Sequence, residues 1–166
     1  MVPHDPRWRR EFEQEAERIS AAAGSNAVAV HHVGSTAIPT VYAKPVIDLL
    51  LVVRDLAALD ERQPRMEALG YEARGEYGIP GRRFFRRDDE HGDRTHQIHA
   101  FEDGSPQIAR HLAFRDYMIA HPETAQSYSD LKRELAAKHP EDIEAYMDGK
   151  DEFIQEIDRR AAPGGR

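Results

Sequence analysis

At 166 residues and 18.9 kDa, with 40% hydrophobic and 32% charged residues, the chain fits one domain of ordinary size that can bury a core. It contains no cysteine, which excludes disulfides, thiolate catalysis and cysteine-based zinc centres and leaves His, Asp and Glu as the strong side-chain metal ligands. A net charge of −7 disfavours a nucleic-acid partner, no apolar run approaches the ~20 residues of a membrane span, and residues 1–8 carry no apolar signal region. The chain therefore reads as a cytoplasmic protein that handles a small ligand.

In chain order, Asp5-Pro6 opens a helix, since proline at a first helical position loses no hydrogen bond. Trp8, Phe12, Ile19 and Ala23 recur at helical spacing up to a stop at Gly24-Ser25-Asn26, so this helix should cover a sheet. Val28 to Val33 and Val46 to Val53 read as strands; the second is nearly all apolar and predicts a central strand covered on both faces. From Asp55 to Leu69-Gly70 the pattern is helical with a break at Pro64. Arg82 to Arg87 and Arg94 to Phe101 form an expected antiparallel pair. Ser105-Pro106, His121-Pro122 and His139-Pro140 then open three helices with apolar stripes at Ile108, Leu112 and Ile119, at Tyr128, Leu131 and Leu135, and at Ile143, Tyr146, Met147, Phe153, Ile154 and Ile157. The expected architecture is one α/β (α+β) domain over residues 1–166: a mixed sheet, an N-terminal helix, a C-terminal helical block and a frayed tail from about 161.

Asp48 is the most informative single residue, because a bare carboxylate inside Val46 to Val53 costs several kcal/mol to desolvate. Either a backbone amide or an arginine satisfies it, or it is a metal ligand. Gly34-Ser35-Thr36 follows a strand and can aim backbone amides and two hydroxyls at an anion, although such turns are commonly structural. The turn and Asp48 lie on successive strands and so can share one sheet edge, phosphate on one and a divalent cation on the other. Alternation puts Gln97 and His99 on one strand face and His96 on the other, with His99 expected to meet Asp48 or Glu102. Only one of His31 and His32 can face a pocket on the same grounds. The Arg82 to Arg87 run reads as a charge-guarded edge strand, or as the source of one arginine leaning toward the Gly34 turn.

His32-Val33-Gly34-Ser35-Thr36-Ala37-Ile38-Pro39, followed by Ala43-Lys44-Pro45-Val46-Ile47-Asp48, resembles the signature of the GrpB family. The resemblance continues in Thr95 to His99, Arg110 to Tyr117, Tyr128 to Leu135 and Gly149-Lys150, covering about Asp5 to Ile157. It implies a nucleotidyltransferase-type fold, similar to domains fused to some bacterial dephospho-coenzyme A kinases. In that superfamily a Gly-Ser turn holds nucleotide phosphates, and two carboxylates spaced two apart on the next strand, with a third elsewhere, bind two divalent ions. Here Leu50 stands where the second carboxylate belongs and Gln97 and His99 stand near the third. Thr40 replaces the glycine usual after the proline, a difference that bears on the turn.

These observations give three readings. The first is a nucleotide-binding transferase acting on an unknown small-molecule acceptor. In it Gly34, Ser35 and Thr36 cradle a triphosphate, Lys44 or Arg82 neutralises charge, Asp48 with His99 holds Mg²⁺ or Mn²⁺, and Asp48 and Ser35 are the catalytic candidates. The second is a non-catalytic nucleotide or small-anion binding module that has lost the second metal carboxylate. The third is a His/Asp metal-dependent hydrolase centred on His99.

Overall fold

The structure is a computed structural model in which residues 1–162 are described. Helix α1 (Arg7–Ala23) buries Trp8, Ile19, Ala22 and Ala23 and ends at Gly24, whose φ of 66° few other residues adopt. After a 3₁₀ turn come β1 (Ala27–Val33) and β2 (Ile47–Val53). Helices α2 (Leu56–Glu61) and α3 (Gln63–Ala68) are the two pieces expected about Pro64, which sits in the first turn of α3; Asp55 caps α2 by accepting from the Ala57 amide at 3.0 Å. The strands β3 (Glu72–Ala73), β4 (Arg83–Asp88) and β5 (Arg94–Glu102) follow. The C-terminal helices are α4 (Pro106–Ala120), α5 (Pro122–Lys138) and α6 (Ile143–Ala161). Pro140 does not open the last of them; Asp142 caps it instead, accepting from the Ala145 amide at 3.0 Å. Of the expected frayed tail, Ala161 closes α6 and residues 163–166 lie outside the described residues. Among the described residues no helix is long and apolar enough to cross a membrane.

The five strands form one mixed sheet in the order β1-β2-β5-β4-β3. β1 runs antiparallel to β2, β2 parallel to β5, and β5 antiparallel to β4. Two expectations need correction here. β2 is an interior strand covered on both faces, but the middle position belongs to β5. β4 is not an edge either, because two-residue β3 pairs with it through Glu72–Arg86 and Ala73–Phe85. Its charges are held instead by specific partners: Arg83 by Asp60, Arg86 by Glu72 and Arg87 by Glu15.

Strand alternation divides the core. Ile47, Leu49, Leu51, Val53, Phe85, Ile98 and Ala100 face α1 and the short helices, where Trp8, Ile19, Leu59, Met66 and Tyr71 complete the larger cluster. On the other face Val33, Leu50 and Phe101 meet Ile108 and Leu112 of α4. A third cluster ties the loop after Gly34 to the helical block: Ile38 and Val41 pack with Met118, Ala125, Tyr128 and Ile157. The stripe residues Ile119, Ile143 and Met147 stand exposed, and α4 buries Met118 in place of Ile119.

Candidate functional site

Asp48 is the second residue of β2, and alternation turns it toward the C-terminal helices. Val33 of β1 lies on one side of it and Gln97 of β5 on the other. Directly after Val33 the chain turns at Gly34, φ 76°, and a Cβ there would stand 2.6 Å from Asp48 Oδ2. Glycine is thus required twice over, by the backbone angle and by the carboxylate. The following 3₁₀ turn, Ser35–Ala37, places Ser35 at the wall of a cleft and buries Thr36, whose hydroxyl is 2.8 Å from His32 Nε2. Of the two adjacent histidines, His32 packs against Phe12 on the α1 side, and burial pulls its pKa down to about 4.

Asp48 Oδ1 receives two protein hydrogen bonds. His99 Nε2 lies 3.0 Å from it, and the Gln97 amide, oriented by its partners, donates to it at 2.9 Å while accepting from Arg94 at 3.0 Å. Behind His99, Arg82 NH1 is 3.3 Å from Nδ1. A guanidinium can only donate, so Nδ1 accepts, the imidazole proton sits on Nε2, and His99 donates to Asp48. His99 therefore offers Asp48 a proton and no lone pair to a cation, contrary to its expected role as a metal ligand. Arg82 is also displaced from its expected role in phosphate binding. It is buried, bonded to the Glu76 and Tyr77 carbonyls at 3.1 and 2.8 Å, and acts behind His99 and outside the cleft.

The cleft beside Asp48 has a volume of about 200 Å³, and Ser35, Lys44, Asp48, Lys132, Tyr146 and Lys150 all line it. Lys132, on α5, donates to Ser35 Oγ at 2.6 Å and to the Tyr42 carbonyl at 2.8 Å. Lys44 and Lys150 approach the Tyr146 ring, 5.7 and 5.1 Å from its centroid. Burial, reinforced by Lys150 and opposed by Asp48, brings the Lys132 pKa down to about 7; burial lowers that of Lys150 as well. No lysine takes part in an ion pair among the described residues, where the cations are arginine and histidine throughout.

Sequence reasoning assigned no role to Lys132, Lys150 or Tyr146. Two signals pointed to them. Lys132 follows Tyr128 by four residues and precedes Leu135 by three, on the buried stripe of its helix. In addition, only four of the 23 basic residues are lysine, at 44, 132, 138 and 150, and three of those four line this one cleft.

This donor set suits a resident divalent cation poorly. Among the described residues no group of three or more His, Asp or Glu side chains is placed to hold a metal. The one carboxylate has an oxygen committed to two donors, and three ammonium groups oppose a second cation. Leu50, where a second carboxylate was looked for, is fully buried beside Phe101.

A five-stranded mixed sheet preceded by one helix and followed by a helical block is a nucleotidyltransferase-like fold. The crystal structure of the Cid1 poly(U) polymerase bound to MgGTP superposes with a TM-score of 0.57 at 11% identity, over 82% of this chain and 44% of that one, a likeness of fold. The chain belongs to the GrpB family: the family model described as "GrpB protein" matches residues 1–160. The crystal structure of conserved protein GrpB from Enterococcus faecalis superposes with a TM-score of 0.91 at 40% identity, covering 96% of this chain and 95% of that one. UPF0157 protein YqkA of Bacillus subtilis is 44% identical over 161 residues, 97% of this chain but 46% of the relative, so the chain spans about half the length of that protein. A dephospho-CoA kinase of Mycolicibacterium paratuberculosis is 32% identical over a segment that is 45% of its length.

Proposed function

We propose that the cleft binds the phosphate groups of a nucleotide, and that it works as a binding site and not as a two-metal transferase. The observation that carries this reading is the convergence of Lys44, Lys132 and Lys150, from three separate chain segments and without carboxylate ion pairs, on one cleft in which Lys132 donates to the Ser35 hydroxyl. Such a cluster in a protein of net charge −7 needs an anion, and phosphate accepts from several ammonium groups at once. Ser35 and the turn begun by Gly34 supply further donors. At about 200 Å³ the cleft is smaller than the ~300–1,000 Å³ that encloses a whole drug-sized ligand, so it admits the phosphate head and leaves the rest of the molecule at the mouth. There the exposed apolar side chains of Ile143 and Met147 offer it a surface. The fold and the kinship with a segment of a dephospho-CoA kinase support a nucleotide as the ligand class.

Calorimetry with ATP, GTP, CTP, UTP and inorganic tripolyphosphate tests the reading. Binding by wild type and loss of at least tenfold in affinity in Lys150→Ala and Ser35→Ala are expected. Absence of binding by all five compounds refutes it. The Gly34 turn beside Asp48 favours nucleotidyl transfer to a small acceptor as the second reading. Pyrophosphate released from a nucleoside triphosphate in the presence of an acceptor would establish that reading, and its absence is expected here.

A further inference from the structure

We infer that the cleft takes its polyphosphate ligand as the free anion, with no divalent cation, and that Asp48 is the internal counterion of the lysine cluster. The inference rests on the phosphate reading above. Charge is the first ground. A divalent ion that arrives with a nucleotide is held by one or two carboxylates together with the phosphates, and a two-metal site needs more than one carboxylate. Here the proportions are reversed, with one carboxylate against Lys44, Lys132 and Lys150. Three ammonium groups supply the neutralisation that a metal would otherwise bring, and they repel a metal that arrives with the ligand.

The hydrogen bonding of Asp48 is the second ground. Its Oδ1 is held by His99 Nε2 at 3.0 Å and by the Gln97 amide at 2.9 Å, and Arg82 behind His99 keeps the imidazole in the donating tautomer. A carboxylate that grips a cation with both oxygens presents both sets of lone pairs; here Oδ1 is turned onto two protein donors, and Oδ2 stands beside Gly34 where a Cβ would be only 2.6 Å away. Asp48 also acts on the lysines, favouring the charged forms of Lys132 and Lys150 against the burial that disfavours them. It thereby offsets part of the cost of burying their charge.

The test is the affinity of wild-type protein for inorganic tripolyphosphate at pH 6, by calorimetry, once in EDTA and once in excess Mg²⁺, repeated with Asp48→Asn. The expected result is binding in EDTA at least threefold tighter than in Mg²⁺, since the metal masks ligand charge. Asp48→Asn in EDTA should bind about three- to tenfold tighter still, because a competing negative charge is gone. Binding that requires Mg²⁺, or that Mg²⁺ strengthens, overturns the inference and leaves the phosphate reading standing; binding in neither condition overturns both. Should Asp48→Asn fail to fold, the wild-type pair of measurements decides alone.

Discussion

Gly34 is constrained both by its backbone angle and by its neighbour. With φ at 76° and the space of a Cβ only 2.6 Å from Asp48 Oδ2, Gly34→Ala must either bend the turn or expel the carboxylate. A loss of about 2 kcal/mol or more in urea denaturation is expected, together with loss of anion binding. Thr40 shows the opposite case. Its φ is 71°, a left-handed conformation that a β-branched side chain adopts at a cost, and family resemblance places glycine there. Relief of ~1–2 kcal/mol of strain exceeds the entropy cost of glycine, so Thr40→Gly should raise stability by about 0.5–1 kcal/mol, seen as a higher urea midpoint at unchanged slope.

Lys132 links the site to pH. Its folded-state pKa of about 7 lies below the ~10.4 of an unfolded chain, so between these values the unfolded state holds the extra proton and stability rises with pH. Below about 7 the destabilisation is fully present. Denaturation of wild type against Lys132→Met should show wild type gaining on the variant between pH 7 and 10. Anion affinity runs the other way: it should fall as pH rises above 7, where the free protein has shed the proton the ligand needs, and titrations at pH 6 and 9 would reveal it.

At the scale of elements, the two sheet faces carry different kinds of polar group. On the α1 side a buried network fastens helix to strand: Glu15 accepts from the Tyr71 hydroxyl at 2.7 Å and from Arg87 at 2.8 Å, and Arg87 reaches His96 Nδ1 at 3.0 Å. Burial there, with Arg87 adding to it, pulls the His96 pKa down to about 4. This cluster fixes packing and has no opening to the cleft. Glu15→Ala leaves the half-buried Arg87 and the Tyr71 hydroxyl without their carboxylate and should cost about 2–3 kcal/mol by chemical denaturation, with phosphate affinity nearly unchanged in what remains folded. The opposite face carries the site, and there β1, β2 and β5 set Val33, Asp48 and Gln97 side by side through register alone.

In the whole molecule, the cleft closes only because the C-terminal block folds back over the sheet. Lys132 and Lys150 reach Ser35 and Asp48 across long sequence separations, and the third apolar cluster holds them there by packing Met118, Tyr128 and Ile157 against Ile38 and Val41. Ile157 touches none of the cleft, yet Ile157→Ala should cost about 2–4 kcal/mol and weaken anion binding as well, through looser seating of α6. A fall in affinity alongside a fall in denaturation midpoint is the expected pair of results; unchanged affinity would show that the lysines are positioned locally.

The helices and the four longer strands were legible in the sequence because each carries a local cause: proline near the start of most helices, glycine at helix stops, a continuous apolar run for an interior strand. Alternation put Gln97 and His99 on one face and left Asp48 and Glu102 as partners for His99; the pairing of β2 with β5 decided for Asp48. Strand order was not legible, because two-residue β3 has no periodicity of its own and the parallel pairing of β2 with β5 depends on contacts between distant segments. Nor was the sign of the site. From the chain alone Asp48 reads as a cation ligand with arginine help, whereas its meaning depends on which charges gather around it. Coulomb interactions act through space, and only the packing of α5 and α6 against the Ser35 turn adds Lys132 and Lys150 to Lys44 in the cleft that Asp48 lines, while the β4–β5 pairing leaves Arg82 behind a histidine.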